Sequence, residues 1–203
     1  ELLSRIDGGG CPAEVTGLQG VHRALAGAAL SEALDRPALF VCADEGEART
    51  LREDLKSLLG TEPVLLLGRE WQLRPGAIAS RGWEQDRLAA LYALGQGGVP
   101  AVVATADGLM ARTLPKAALL RSAHLLKPGQ PLDLPAFTEA LTAAGYARCQ
   151  QVEGVGQFAV RGGILDVFSP LMEKPVRCEL FGDEIDSMGL FDPGTQRRVQ
   201  NVT

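Results

Sequence analysis

The first half of the chain alternates short apolar runs with segments of helical periodicity. The runs at 37–43, 63–67 and 99–104 are compact and unbroken, as strands buried on both faces require. Between them leucines recur three or four residues apart, and Gly60 and Gly97-Gly98 are stop signals for helices. Alternating strands and helices form parallel sheets through right-handed crossovers. The pattern predicts an α/β domain, RecA-like or Rossmann-like, over residues 1–122.

The pattern changes after residue 122. A Pro-Gly-Gln-Pro turn at 128–131 precedes one helix, which has apolar residues at helical spacing and ends at Gly145. Short strands follow, and we expect them at 158–168, 176–181 and 185–191. Gly182-Asp183 is a plausible hairpin turn between the last two strands. Residues 123–203 are therefore predicted to form a small α+β domain with an antiparallel sheet.

Composition narrows the possible functions. The formal net charge of −5 argues against a general duplex-DNA clamp, although a local basic patch stays compatible with it. An aromatic content of 5% argues against a single-strand channel built from stacking side chains. Neither a signal peptide nor a bilayer-length apolar run is present, so we expect a cytoplasmic protein without a membrane partner.

The cysteines and histidines give no sign of a metal or redox site. The four cysteines are scattered without a C-x-x-C pair, and Cys42 and Cys178 fall in apolar runs. We predict reduced core thiols for these two, with a disulfide or a reactive thiol as the alternative. His22 and His124 lie far apart without partners at ligand spacing, and no catalytic residue is predicted.

A glycine-containing loop precedes the first helix, where a RecA-like domain would bind phosphate. The loop contains Thr16, Gly17 and Gly20 but lacks the G-K-[ST] sequence that contacts phosphate and magnesium. Arg23 does not replace the missing lysine, because its planar fork differs from a compact ammonium group. We predict a degenerate phosphate loop without ATP or Mg²⁺. The alternative is an enzyme that still uses nucleotide.

The run from Val176 to Phe181 carries the best candidate site. Strand side chains alternate between two faces, so Arg177, Glu179 and Phe181 point away from the apolar residues between them. An aromatic residue beside an arginine is typical of an interface hot spot. In the alternative, Phe181 is tucked over the Gly182 turn and the charged residues form ordinary surface pairs.

Arg161 extends this candidate site. It is a lone arginine in an apolar run, and Gly162-Gly163 behind it indicates a bulge or a close backbone approach. If the two strands pair, Arg161 and Arg177 could form a cationic patch for a partner carboxylate. The alternative is an internal pair between Arg161 and Asp166 or Glu179.

Three blocks, residues 158–168, 175–186 and 191–197, carry a family resemblance. In this order and spacing they resemble the module shared by the excinuclease protein UvrB and the bacterial transcription-repair coupling factors (Mfd). A weaker resemblance covers residues 15–17 and 87–92. The absent G-K-T and the short connection between Leu67 and Trp83, too small for the long hairpin of UvrB, favour the N-terminal module of the coupling factors.

The resemblance implies a non-catalytic adaptor in transcription-coupled nucleotide excision repair. The second domain would recruit the excinuclease protein UvrA through Arg161, Arg177, Glu179 and Phe181. Downstream domains would bind RNA polymerase and duplex DNA, contain an ATP- and magnesium-dependent motor, and mask the docking surface intramolecularly. On this interpretation Arg177→Ala or Phe181→Ala weakens UvrA binding at least about tenfold and spares thermal stability. The alternatives are a UvrB-type nucleotide-dependent repair protein and a free-standing DNA-binding module.

Overall fold

A computed structural model describes residues 2–69 and 81–202, so most of the connection between Leu67 and Trp83 lies outside the described residues. The chain divides into two compact units, Glu1–Thr113 and Leu114–Thr203, whereas the sequence analysis placed the boundary after residue 122. The described helices are α1 (Leu2–Asp7), α2 (Val21–Leu34), α3 (Glu45–Leu59), α4 (Arg81–Gln96), α5 (Ala106–Met110), α6 (Lys116–Arg121) and α7 (Leu134–Ala143). The described strands are β1 (Ala38–Cys42), β2 (Val64–Leu66), β3 (Ala101–Thr105), β4 (Ala147–Arg148), β5 (Gln157–Arg161), β6 (Ile164–Phe168), β7 (Val176–Phe181), β8 (Glu184–Phe191) and β9 (Arg198–Val202).

The first unit is built on a parallel sheet, which confirms the predicted α/β class. Its strand order is β1-β3-β2, and both pairings are parallel. Helices α2 and α3 contribute Ala24, Leu51 and Leu55 to one core cluster with β1 and β3. Helix α4 contributes Ala90 to a second cluster with β2 and β3. Helices thus cover β2 and β3, as strands of a parallel sheet require. On β1, Leu39 and Val41 are 56% and 58% exposed, so this edge strand is not buried on both faces as the sequence predicted.

Local signals fix the ends of α3. The Asp44 carboxylate accepts a hydrogen bond of 2.9 Å from the backbone N–H of Glu47, which otherwise lacks an intrahelical partner. At the other end Gly60 adopts φ 65°, and its N–H donates to the Lys56 carbonyl. This left-handed residue ends the helix where the sequence predicted it.

The second unit is a six-stranded sheet with the order β4-β5-β6-β7-β8-β9. The strands from β5 to β9 are antiparallel, and the short β4 pairs with β5 in parallel. One face of the sheet contributes Phe158, Leu165 and Cys178 to a core cluster. Leu132, just before α7, and Leu141, on α7, pack against this face. The predicted α+β class with an antiparallel sheet is confirmed.

One strand prediction is wrong. The run 158–168, predicted as a single strand, is a hairpin of β5 and β6 in which Arg161 pairs with Ile164. Gly162-Gly163 is the two-residue turn, and Gly162 adopts φ 60°, a conformation that glycine adopts without steric cost. The predicted close backbone approach is also present, because a Cβ on Gly163 would lie 2.9 Å from the Leu180 carbonyl oxygen.

The other face of this sheet is only partly covered. The 149–156 loop buries Val152 against Ala159, Phe168 and Phe191 at one end. The remainder carries polar side chains from five adjacent strands, and we call it the open face: Arg161, Asp166, Arg177, Glu179, Ser187 and Arg198.

The cysteines agree with the sequence interpretation. Cys42 and Cys178 are buried in the two cores, and all four cysteines are free thiols. Burial raises the pKa of the Cys178 thiol to about 12. Among residues 2–69 and 81–202 no cluster of metal-ligating side chains occurs. Within the same residues, no helix has the length and apolar character needed to cross a bilayer.

Candidate protein-docking site

Asp166 is the centre of the open face. It lies on β6 with its side chain fully buried, and Arg177 of β7 is its cross-strand neighbour. Its carboxylate accepts bonds of 2.7 and 2.9 Å from Nε and Nη2 of Arg177, and one of 2.7 Å from Nη2 of Arg161. A buried carboxylate is stable only when it is paired and hydrogen-bonded, and the two arginines satisfy this need.

Arg177 is held firmly by its own chain. Its side chain is 16% exposed, its guanidinium lies 4.6 Å from the ring centre of Phe191, and Nη1 donates to the Gln196 carbonyl. The hydrogen bonds to Asp166 raise the pKa of Arg177 above its ordinary value. These contacts lead us to expect that Arg177→Ala lowers stability, in place of the expectation from the sequence that it spares it, because the substitution would leave Asp166 with Arg161 alone.

Arg161 is the more accessible arginine. Its side chain is 44% exposed and, among the residues that the structure describes, forms one hydrogen bond, to Asp166. Of the alternatives left open by the sequence, the internal pair with Asp166 is correct. A guanidinium has five N–H donors, and Arg161 shares the single carboxylate of Asp166 with Arg177. Arg161 therefore still has N–H groups that can donate to a partner. Arg161 and Arg177 lie on β5 and β7, with β6 between them, rather than on paired strands.

Phe181 is the most exposed of the four predicted docking residues. It ends β7 beside the turn at Gly182, and its exposed fraction of 85% excludes the alternative in which it is tucked over that turn. The register shift between β7 and β8 inserts the extra residue, Asp186, into β8. Alternation along β7 is thus regular, and Phe181 projects on the same side as Arg177, about 13 Å further along the strand.

Glu179 joins a second polar group on the open face. It accepts a 3.0 Å hydrogen bond from Ser187 Oγ, and its carboxylate lies 3.7 Å from Nη2 of Arg198. From the sequence, Asp166 was expected only as a possible partner of Arg161, and Arg198 was not among the predicted site residues. The lone carboxylate in the apolar run of β6 was a signal for Asp166. Arg198 gave no signal, because an arginine after a turn resembles an ordinary solvated residue.

The predicted degenerate loop lies before α2. Thr16, Gly17 and Gly20 are all exposed, and both glycines adopt positive φ, 83° and 52°. Gly20 is the residue before the helix, which receives no hydrogen bond from a capping side chain. Both glycines thus adopt backbone conformations that other residues reach only with strain, and the degenerate phosphate loop stays a prediction.

A groove of about 340 Å³ lies beside Gly20. Its charged lining consists of three carboxylates, from Asp44, Glu47 and Asp54, and one arginine, Arg23. Arg23 forms an ion pair with Glu47. The backbone N–H of Ala43 and the guanidinium of Arg23 lower the pKa of Glu47, which favours its ionised form. The groove thus has a formal charge of −2 from its lining.

Comparisons with known proteins show what this chain is similar to. Residues 125–203 match the family described as the UvrB interaction domain. The chain is 40% identical over 195 residues to the transcription-repair-coupling factor of Myxococcus xanthus, covering 90% of this chain and 16% of that protein. Identity to the Bacillus subtilis protein of the same name is 31% over 191 residues, which cover 93% of this chain and 16% of that protein. Identity to the Escherichia coli protein of the same name is 30% over 168 residues, which cover 82% of this chain and 14% of that protein. The chain spans about a sixth of the length of these relatives.

Proposed function

We propose that the second unit binds the excinuclease protein UvrA, because residues 125–203 match the UvrB interaction domain and the chain is similar to a segment of the transcription-repair-coupling factors. The contact surface is the open face together with Phe181. In this role the chain recruits UvrA to sites of transcription-coupled DNA repair. The name of the matched domain and the names of the relatives support this function.

The exposure of Phe181 carries the proposal. A phenylalanine that is 85% exposed at a strand end contributes little to its own domain, whereas its burial against a partner removes a large apolar surface from water. Aromatic residues at interface centres commonly contribute about 2 kcal/mol or more. Arg161 lies on the same face and can donate to a partner carboxylate, which gives the contact its orientation.

The structure divides the predicted contact residues into two groups. Phe181, Arg161 and the half-exposed Glu179 are available to a partner. Arg177 is mostly buried, so its main effect on binding is indirect: it keeps Asp166 neutralised and Arg161 in place. Substitutions of Arg177 thus affect folding as well as UvrA binding.

Binding of purified UvrA to the chain tests this function. Phe181→Ala should weaken the affinity at least about tenfold, since about 1.4 kcal/mol corresponds to a factor of ten. Thermal unfolding should not change, because the side chain is exposed. The matched control is Met110→Ala in the first unit, since Met110 has the same exposed fraction of 85%. Equal affinity of wild type and Phe181→Ala would refute the proposal.

We propose that the first unit is a scaffold without nucleotide chemistry. The loop lacks the lysine that contacts β- and γ-phosphates, and Arg23 is already paired with Glu47. The carboxylates of the adjacent groove would repel a triphosphate. Titration with labelled ATP and Mg²⁺ should give no saturable binding at micromolar concentrations. Submicromolar affinity would instead favour a nucleotide-dependent repair protein.

For the longer protein we propose the activities expected from the family: contacts with RNA polymerase and duplex DNA, and an ATP-dependent motor, in other domains. Masking of the open face by another domain, and a cytoplasmic location, belong to the same proposal. Isolated chain should then bind UvrA more tightly than the full-length protein does. Equal affinities would argue against masking without affecting the docking function.

A further inference from the structure

Arg198 reaches the open face by an unusual route. It lies on the edge strand β9, and its side chain crosses β8 directly over Gly189. A Cβ on Gly189 would lie 2.3 Å from Arg198 Nε, 2.8 Å from the Gln200 carbonyl oxygen and 2.9 Å from Arg198 Cδ, so glycine leaves room both for the crossing side chain and for the backbone of β9. Glycine inside a strand weakens the sheet and marks a place where another group approaches closely. The glycine in β8 thus permits Arg198 to cross the strand, and it also accommodates the Gln200 carbonyl of β9.

The guanidinium of Arg198 is fixed in position by its neighbours, but not all of its N–H groups have a partner among the described residues. Nη2 donates a 3.1 Å hydrogen bond to Ser187 Oγ and lies 3.7 Å from a Glu179 oxygen. The side chain is 31% exposed. Among the residues that the structure describes, Ser187 and Glu179 supply these polar contacts, and a guanidinium has five N–H donors. Arg198 therefore has donors left for a partner, in an orientation fixed by its two neighbours.

Three arginines consequently occupy alternate strands of the open face. Arg161 comes from β5, Arg177 from β7 and Arg198 from β9. The strands between them supply smaller or neutralising groups, Asp166 on β6 and Gly189 on β8. Asp166 is buried beneath the first two arginines, and Glu179 is the other carboxylate among the six residues of the open face, so these six have a formal charge of +1 in a chain of −5. The exposed Glu184 is the cross-strand partner of Phe181, outside these six.

We propose that Arg198 is a further contact residue of the docking surface, and that it binds a carboxylate of the partner. The proposal rests on the docking function assigned to this face. It identifies the partner surface as one with acidic groups opposite β7 to β9 and an apolar recess for Phe181. Charge complementarity of this kind accelerates association and makes it dependent on salt.

UvrA binding by the chain tests the role of Arg198 through association rate and salt dependence. Arg198→Gln should lower the affinity about tenfold, mostly through the association rate, and reduce the dependence on ionic strength. Arg197→Gln is the matched control, since Arg197 is exposed, adjacent and has the same charge. Arg198→Lys keeps the charge and should recover most of the salt dependence, whereas loss of packing alone would not be recovered in this way.

Phe181→Ala, measured in parallel, separates this inference from the docking function. If Phe181→Ala weakens binding while Arg198→Gln does not, the surface binds UvrA and the role of Arg198 is refuted. If Arg198→Gln lowers only the thermal stability, Arg198 merely joins β9 to the sheet and the inference is again refuted. If neither Phe181→Ala nor Arg198→Gln changes the affinity, both the docking function and the inference are wrong.

Discussion

Asp166→Asn should strongly destabilise the second unit. The substitution removes the charge that pairs with two arginines and turns one acceptor atom into a donor facing their N–H groups. Removing one partner of a buried ion pair typically costs about 3–5 kcal/mol. Arg161 is 44% exposed and can be rehydrated, whereas Arg177, at 16%, cannot. The loss of stability therefore comes mainly from one unpaired buried cation, Arg177. We expect a loss at the lower end of this range, about 3 kcal/mol.

Hydrogen exchange measured by mass spectrometry on the whole chain tests this value. Amides of β6 and β7 that exchange through opening of the second unit should exchange roughly a hundredfold faster in Asp166→Asn, which corresponds to about 3 kcal/mol. Asp186→Asn is the control, because Asp186 is an exposed aspartate on β8 and its substitution should change stability by less than about 0.5 kcal/mol.

The result that would refute this account is an acceleration of less than about threefold in Asp166→Asn, since that corresponds to less than about 0.7 kcal/mol. The loss in free energy of unfolding should be smaller when the buried charge of Arg177 is removed together with that of Asp166. A double substitution, Asp166→Leu with Arg177→Met, removes both charges and should recover part of the lost stability, because an apolar pair of similar volume often replaces a buried ion pair without penalty.

Further outcomes follow from other contacts of the chain. Arg177→Gln should lower the free energy of unfolding by about 3 kcal/mol and Arg161→Gln by less than about 1 kcal/mol, as measured by urea denaturation, because only Arg177 is mostly buried. Asp44→Ala should cost about 1 kcal/mol in the same assay, since it removes the side-chain cap of α3. At pH 8 a thiol reagent should label the exposed Cys11 rapidly and Cys178 only after unfolding, because burial raises the Cys178 pKa to about 12 and keeps the thiol protonated. Rapid labelling of Cys178 in the folded chain would contradict its place in the core.

The sequence determined the class of each unit and the faces of β7. Residue alternation in a strand follows from backbone geometry, so Arg177 and Phe181 share a side regardless of what surrounds them. The parallel sheet was equally predictable, because helices that connect strands through crossovers leave a regular apolar pattern. Gly60 marked the end of α3 for a similarly local reason, the left-handed conformation that glycine adopts without cost.

The tertiary structure alone decided which groups meet. Gly162-Gly163 indicated a bulge or a close backbone approach from the sequence, whereas it is the turn of a hairpin, and only the pairing of β6 with β5 and β7 placed Asp166 between the two arginines. Exposure was likewise not local: Arg161 and Arg177 are both strand arginines, yet packing against Phe191 and Gln196 buries just the second. Which side chains a strand meets depends on strand order across the sheet, and spacing along the chain does not contain that order.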